Sequence, residues 1–257
     1  MKYGICLLAQ IPVRDFHSEK SEMVTQLLFG ETCKIINQKD SWYFIYSDTD
    51  QYLGWVNVES ITIIPIEEYL KIEGIYHPCV SSAFAQLETN DEKIIVSQGS
   101  TLPFLKENKF AINGTDYKLT QGSTDQAFSA SEIAKNIAGA PYLWGGRTML
   151  GIDCSGLIVN IFKILHFDLP RDASEQIAYG EPINFLNEAQ EGDLCFFDNE
   201  NGKIIHVGIL IDNQTIVHAS GKVRIDKIDH QGIYNNDLKK YTHHLRIIKR
   251  IKLKKND

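Results

Sequence analysis

Up to residue 122 the sequence is cut by polar turns into short runs of β-branched and aromatic residues, and this spacing constrains the fold most. Such runs read as strands, and several at close spacing read as a small barrel. Ser41-Trp42-Tyr43-Phe44-Ile45-Tyr46 and Tyr52-Leu53-Gly54-Trp55-Val56 flank the turn Asp48-Thr49-Asp50 as a predicted hairpin. Ile5–Val13 and Thr32–Ile36 are two further predicted strands, and Glu19–Phe29 is expected to carry a short helical turn. A second stretch, Pro65 to Gly122, repeats the style with Ala83–Leu87, Lys93–Ser97, Thr101–Leu105, Lys109–Ile112 and Thr115–Leu119. Asn113-Gly114 is a strong hairpin signal within it.

From Ser123 the texture changes. Ser129 and Glu132 form a predicted capping box for a helix that stops before Pro141. Cys154–Leu165 reads as a second helix, with Leu157, Ile158, Ile161, Phe162 and Leu165 in one apolar stripe. Asp172 and Glu175 are expected to cap a third. Strands follow at Leu194–Asp198, Ile204–Ile211, Thr215–Ala219 and Leu245–Leu253. Helices first and strands after indicate an α+β domain. The expected organisation is a module at 1–64, a second at 65–122 and a larger domain at 123–257.

Composition removes several classes. A hydrophobic fraction of 43% and a charged fraction of 23% belong to an ordinary globular chain. The net charge of −7 argues against nucleic acid or an anionic membrane as the main partner. No apolar run approaches the ~18 residues of a membrane span. Gly4 to Ala9 is too short a run for a secretory core, so a cytoplasmic protein is expected. Cys6, Cys33, Cys79, Cys154 and Cys195 are odd in number and widely spaced, which fits neither a disulfide framework nor a zinc ribbon.

One cysteine stands apart. If a helix starts at Asp153-Cys154-Ser155-Gly156, Asp153 is its N-cap and Cys154 lies in the first turn. The unpaired N–H groups there favour a thiolate, whereas an unperturbed thiol is only about 3% ionised at pH 7. The ordinary role of a cysteine is still that of a small buried hydrophobe. In Ile204–Ile211, residues 205, 207, 209 and 211 share an apolar face, and His206 and Gly208 lie on the other. His218 follows in the next strand. Both rings share a sheet face only if the loop near Asn213-Gln214 is of odd length or a bulge intervenes. A Cys–His pair oriented by a third polar group is the logic of an activated thiol nucleophile, here Cys154, His206 and His218. His243-His244 would point to opposite faces of a strand and make a poor metal pair, so no metal or other cofactor is expected.

Asp153-Cys154-Ser155-Gly156, Gly192-Asp193-Leu194-Cys195-Phe196-Phe197, His206-Val207-Gly208-Ile209 and His218-Ala219-Ser220 resemble the NlpC/P60 cysteine peptidases of the papain-like superfold. Pro141-Tyr142-Leu143-Trp144-Gly145-Gly146 does so too. The separations agree, since His206 follows Cys154 by 52 residues and His218 follows His206 by 12. The resemblance spans about 123–253, and the two β-rich stretches before it look like bacterial SH3-type modules. The arrangement is similar to γ-D-glutamyl-L-diamino acid endopeptidases of the dipeptidyl-peptidase VI type.

That resemblance implies hydrolysis of murein peptides after γ-D-Glu in L-Ala-γ-D-Glu-L-diamino acid. The diamino acid is meso-diaminopimelate or L-Lys, and the L-Ala amine is free. It implies that Arg171-Asp172-Ala173 contributes Asp172 to gripping the ammonium, with Ala173 beside it. Tyr52 and Glu22 assist, with Tyr43 and Glu31 as rivals. It also implies that Tyr142 lines the site with Trp144, that Ser155 lies near the substrate carboxylate or oxyanion, and that Asp153 touches the peptide. The bland readings stay open: core aromatics for Tyr142 and Trp144, a turn for Gly145-Gly146, and helix capping for Asp153 and Asp172. The expected enzyme is a monomer that recycles wall peptides. A secreted hydrolase of intact peptidoglycan and a non-catalytic wall-fragment binder are the alternatives.

Overall fold

The computed structural model describes residues 2–124 and 128–253. The chain divides into two units, Met1–Gln126 with Trp144–Met149, and Ala127–Leu143 with Leu150–Asp257. In the first unit the short runs become strands: β1 (Lys2–Ile5), β2 (Gln10–Arg14), β3 (Met23–Leu28), β4 (Thr32–Lys39), β5 (Trp42–Ser47), β6 (Leu53–Asn57) and β7 (Thr62–Ile64). They form one sheet in the order β3-β2-β6-β5-β4-β1-β7. Helix α1 (Ile66–Glu73) leads to β8 (Phe84–Glu88), β9 (Lys93–Ser97), β10 (Lys109–Ile112) and β11 (Thr115–Gln121), a four-stranded sheet in the order β10-β11-β8-β9. Asn113 and Gly114 both take positive φ, 50° and 79°, in the turn between β10 and β11.

Two apolar clusters hold this unit. Ile11, Val13, Leu27, Cys33, Ile45 and Val56 fill the first sheet. Ile5, Phe29 and Ile64 join Val80, Leu87, Val96 and Tyr117 in a core common to both sheets.

Three local expectations are corrected here. Ile5–Val13 is not one strand, because β1 pairs with β4 and β7 whereas β2 pairs with β3 and β6. The chain changes partners at residues 6–9, and Cys6 bonds the backbones of Glu31 and Gly30 in between. Glu19–Phe29 carries strand β3 rather than a helical turn; paired with β2, it places Leu27 and Leu28 in the core. Thr101–Leu105 is a turn, with Phe104 at φ 62° and the Leu102 N–H bonded to the Pro78 carbonyl.

The second unit starts with α2 (Ala130–Lys135), whose Ser129–Glu132 capping box is present as predicted. The short strand β12 (Arg147–Thr148) belongs to the first unit; in the second, β13 (Gly151–Ile152) precedes α3 (Cys154–Ile164), and α4 (Ala173–Gln176) follows. A seven-stranded antiparallel sheet then completes the unit. Its members are β14 (Glu181–Ile183), β15 (Leu194–Asp198), β16 (Ile204–Asp212), β17 (Thr215–Ser220), β18 (Lys222–Asp229), β19 (Gly232–Asn235) and β20 (Lys240–Arg250), in the order β14-β20-β15-β16-β17-β18-β19. An additional β19–β20 pairing closes the last six into a ring. One face carries the apolar cluster of Cys195, Phe197, Leu210, Ile216, Ile228, Ile233 and Ile248. Helices α2, α3 and α4 pack on β16. No helix among the described residues is long and apolar enough to cross a membrane.

Candidate active site

Helix α3 begins where its cap dictates. The Asp153 carboxylate accepts the Gly156 N–H at 2.7 Å, so Cys154 is the first helical residue. Cys154 is 7% exposed, and its sulfur faces the backbone N–H of Val207 on β16. Burial and then the Asp153 charge push the thiol up to about 11, against opposing help from the Val207 N–H, Arg171 and the Ser155 N–H. The N–H of Ser155 at the helix start favours a thiolate as expected, but burial opposes it more strongly, and the thiol calls for a base.

The candidate base, His206, precedes Val207 in β16. Leu210 pairs with Ile216 and Gly208 with His218, but Asp212 pairs with Thr215, so Ile211 is an extra residue in β16. That bulge puts His206, Gly208 and His218 on one face, the condition set by the sequence. His206 Nε2 and His218 Nδ1 are 2.9 Å apart, and the two residues are 5% and 1% exposed. A Cβ on Gly208 would stand 2.8 Å from Ile216 Cδ1 and 3.0 Å from His218 Cβ, so glycine leaves the second ring its place. Burial first, then His243 and His218, hold His206 well below its ordinary value, as a neutral imidazole.

Several members of this environment escaped the sequence reading. His218 Nε2 lies 3.1 Å from Asp226 Oδ2. Arg224 donates to both Asp226 oxygens, Nε at 2.5 Å and Nη2 at 2.9 Å. His243 stacks on His206, with ring centroids 4.1 Å apart and planes at 24°. Burial is the main force that brings His243 down to about 4. The predicted alternation of His243 and His244 in a strand was the signal available for it; what lay beneath His243 was not. His206, His218 and His243 bring one nitrogen each within 4.8 Å of one another. A metal there would have to displace the proton between His206 and His218.

Around Cys154, Arg171 is 1% exposed; its Nη1 donates to Ser155 Oγ at 2.8 Å and its Nη2 to Asp153 Oδ2 at 2.5 Å. Gln176 Nε2 donates to the Ser155 and Pro170 carbonyls. Asp153, Cys154, Ser155 and Arg171 therefore form one buried group. Tyr142 belongs to the same neighbourhood: its residue bridges Ile152, and burial followed by the nearby Cys154 and Asp153 pushes its hydroxyl up to about 12. Ala173 is buried at the start of α4. Asp172 occupies the N-cap position but makes no side-chain cap bond, so the expected Asp172–Glu175 box is absent.

The remaining candidates lie in the first unit. Trp144 donates from Nε1 to Glu22 Oε1 at 2.5 Å and is 62% exposed. Gly145, at φ 75°, approaches the Met23 carbonyl so closely that a Cβ would stand 2.1 Å from its oxygen. Tyr52 lies just before β6, with its carbonyl accepting the Ser47 N–H. Its rival Tyr43 is in β5, and Glu31 is committed to Arg147 through two bonds of 2.9 and 2.8 Å.

A helix opened by cysteine, packed on an antiparallel sheet that presents a histidine bonded to a second polar side chain, is the arrangement of the papain-like cysteine peptidases. The NlpC/P60 family model matches residues 139–246, and the bacterial dipeptidyl-peptidase SH3 domain model matches residues 13–61. A γ-D-glutamyl-L-lysine dipeptidyl-peptidase of Bacillus subtilis is 30% identical over 217 residues, covering 76% of this chain and 71% of that protein. One of the same name from Bacillus cereus is 25% identical over 228 residues, covering 77% and 68%. A crystal structure of an NlpC/P60 family protein from Bacillus cereus shares the fold, with a TM-score of 0.78 at 18% identity over 96% of this chain and 99% of that one. The chain belongs to the NlpC/P60 family and is an endopeptidase of the papain-like fold with an SH3-like β-rich N-terminal region.

Proposed function

We propose that this peptidase hydrolyses the γ-D-Glu–L-diamino acid bond of peptidoglycan-derived peptides with a free N-terminal L-Ala, and releases L-Ala-D-Glu. The observation that carries the reading is Cys154 at the start of α3 against β16, beside a His206 bonded to His218 at 2.9 Å. The names of the two Bacillus relatives support the bond that is cut. Cys154 loses its proton to neutral His206 as it attacks the γ-carbonyl; His218 holds the imidazole. Backbone N–H groups at the α3 N-terminus receive the oxyanion. His206 then protonates the leaving amine, and water releases the acyl group.

Selectivity for a free amine follows if Asp172 takes the ammonium. An acylated amine carries no charge for that carboxylate to pair with, so it would bind less well. The place of action in this reading is the cytoplasm, and the role is recycling of wall peptides by a monomer whose β-rich stretches 1–64 and 65–122 precede a catalytic domain at 123–257.

The test compares L-Ala-γ-D-Glu-L-Lys, its meso-diaminopimelate analogue and the N-acetylated form of each, with wild type and Asp172→Asn. Cleavage of the free-amine peptides alone, with KM raised about tenfold or more in Asp172→Asn, is the expected result. Equal cleavage of acetylated peptides would remove the ammonium grip and favour a hydrolase of intact wall. Tyr52→Phe and Glu22→Gln in the same assay test the assistance expected of those residues.

A further inference from the structure

The proton pattern around the histidine pair is fixed from its far end. An ionised carboxylate only accepts hydrogen bonds, and Arg224 donates to both oxygens of Asp226. His218 Nε2, at 3.1 Å from Asp226 Oδ2, must therefore be the donor in that pair. A neutral imidazole with its proton on Nε2 has a lone pair on Nδ1. His218 Nδ1 thus accepts, and the partner at 2.9 Å, His206 Nε2, carries the proton. His206 is left with its lone pair on Nδ1, the one ring nitrogen not engaged with His218.

We infer that Asp226, clamped by Arg224, is a positioning residue that sets the tautomer of His218 and through it that of His206, so that Nδ1 of His206 is the base for Cys154. The inference rests on the proposed role of Cys154 and His206. Burial of Asp226 opposes its charge, but the bonds from His218 and Arg224 and their charges outweigh it and keep the carboxyl below its ordinary range. Strand pairing builds the chain of contacts: His218 pairs with Arg224 and Ile216 with Asp226, so the arginine, the carboxylate and the ring share one face of β17 and β18. The ionisable groups around it are Arg224 on β18, His218 on β17, His206 on β16, His243 on β20, and Asp237, which also accepts from Arg224.

Asparagine at 226 has only one acceptor oxygen. Two donors of Arg224 already confront the two carboxylate oxygens, so the amide nitrogen must face either the guanidinium or His218. In the orientation that turns the amide nitrogen to His218, the His218 proton loses its acceptor, and His206 populates the form with its proton on Nδ1, which cannot act as base. The loss lies in proton transfer rather than in substrate binding.

The experiment records side-chain ¹H–¹⁵N spectra of full-length protein, with His206 assigned by comparison with His206→Gln, together with kcat and KM on L-Ala-γ-D-Glu-L-Lys. Wild type is expected to show protonated Nε2 and bare Nδ1 at His206. Asp226→Asn is expected to mix or invert this pattern, lower kcat about a hundredfold and leave KM within about twofold, the signature of a lost base function. Asp226→Glu should keep the wild-type tautomer and recover part of kcat. Protonated Nδ1 at His206 in the wild type would overturn the inference even if Asp226→Asn fails to fold. So would an Asp226→Asn protein with the wild-type tautomer and kcat. A wild type that shows the expected tautomer but cleaves none of the peptides would fault the proposed substrate and leave the relay standing.

Discussion

Each unit of the molecule pairs an arginine with a buried carboxylate, and the two clusters end differently. In the first unit Arg147 makes two bonds to Glu31 and one to the Gln26 carbonyl, and lies 3.7 Å from Asp50, which accepts from Thr25 at 2.6 Å. The side chains of Arg147, Glu31 and Asp50 are wholly buried. These contacts end on carboxylates, a backbone carbonyl and a hydroxyl. In the second unit Arg224 also grips a carboxylate by two bonds, but Asp226 passes the contact to His218 and His218 passes it to His206. The same ion pair is buried scaffolding in one unit and leads to the candidate base His206 in the other. The difference lies in what the carboxylate touches next.

Substitutions can break this contrast. Cys154→Ala should abolish peptide hydrolysis, a loss of several orders of magnitude in kcat, with an unchanged unfolding curve. Arg147→Met should do the reverse. It strands a buried glutamate and is expected to cost about 3–5 kcal/mol in urea unfolding of the protein. Asp226→Asn, in a cluster whose arginine is partly exposed, should cost only about 1–2 kcal/mol while removing most of kcat. Equal stability losses in Arg147→Met and Asp226→Asn would erase the distinction. Gly208→Ala is milder: the added methyl presses on Ile216 and His218, so about a tenfold fall in kcat and about 1–3 kcal/mol of destabilisation are expected.

The pH behaviour sharpens the comparison further. With the Cys154 thiol near 11 and His206 held neutral, alkylation by iodoacetamide should keep accelerating above pH 8.5. A plateau below pH 7 would instead report a preformed thiolate–imidazolium pair. His206 and His243 both titrate lower in the folded protein than in the unfolded chain. Between about 6.5 and about 4 the unfolded state therefore binds more protons, and stability should fall as pH falls through that window. Hydrogen exchange should show this acid loosening around β16 and β20, and also around His77 in the first unit, which burial likewise holds below its ordinary value.

What the sequence disclosed was local. The Asp153 cap, the start of α3 at Cys154 and the alternation of His206 and Gly208 against Val207 and Ile209 all follow from neighbouring residues. So did the requirement for a bulge, which β16 meets at Ile211. Asp226, Arg224 and His243 were hidden because strand pairing alone brings β18 and β20 to the histidines, and nothing in Lys222–Asp229 marks one aspartate among its alternating charges. Arg171 was visible only as part of a motif; its bonds to Ser155 and Asp153 depend on how the chain returns after α3. The helical turn expected at Glu19–Phe29 lost to pairing with β2, which puts Thr25 and Gln26 in the interior. The missing Asp172 cap bond is of the same kind, since the four-residue α4 is set by its packing on β16.

The most direct measurement is to quench wild-type protein with acid during turnover of L-Ala-γ-D-Glu-L-Lys and map the adduct by mass spectrometry. A thioester of L-Ala-D-Glu on the peptide that contains Cys154, absent from Cys154→Ala, is the expected result. An adduct on Cys195 or another residue, or turnover that persists in Cys154→Ala, would contradict the assignment of Cys154 as the nucleophile.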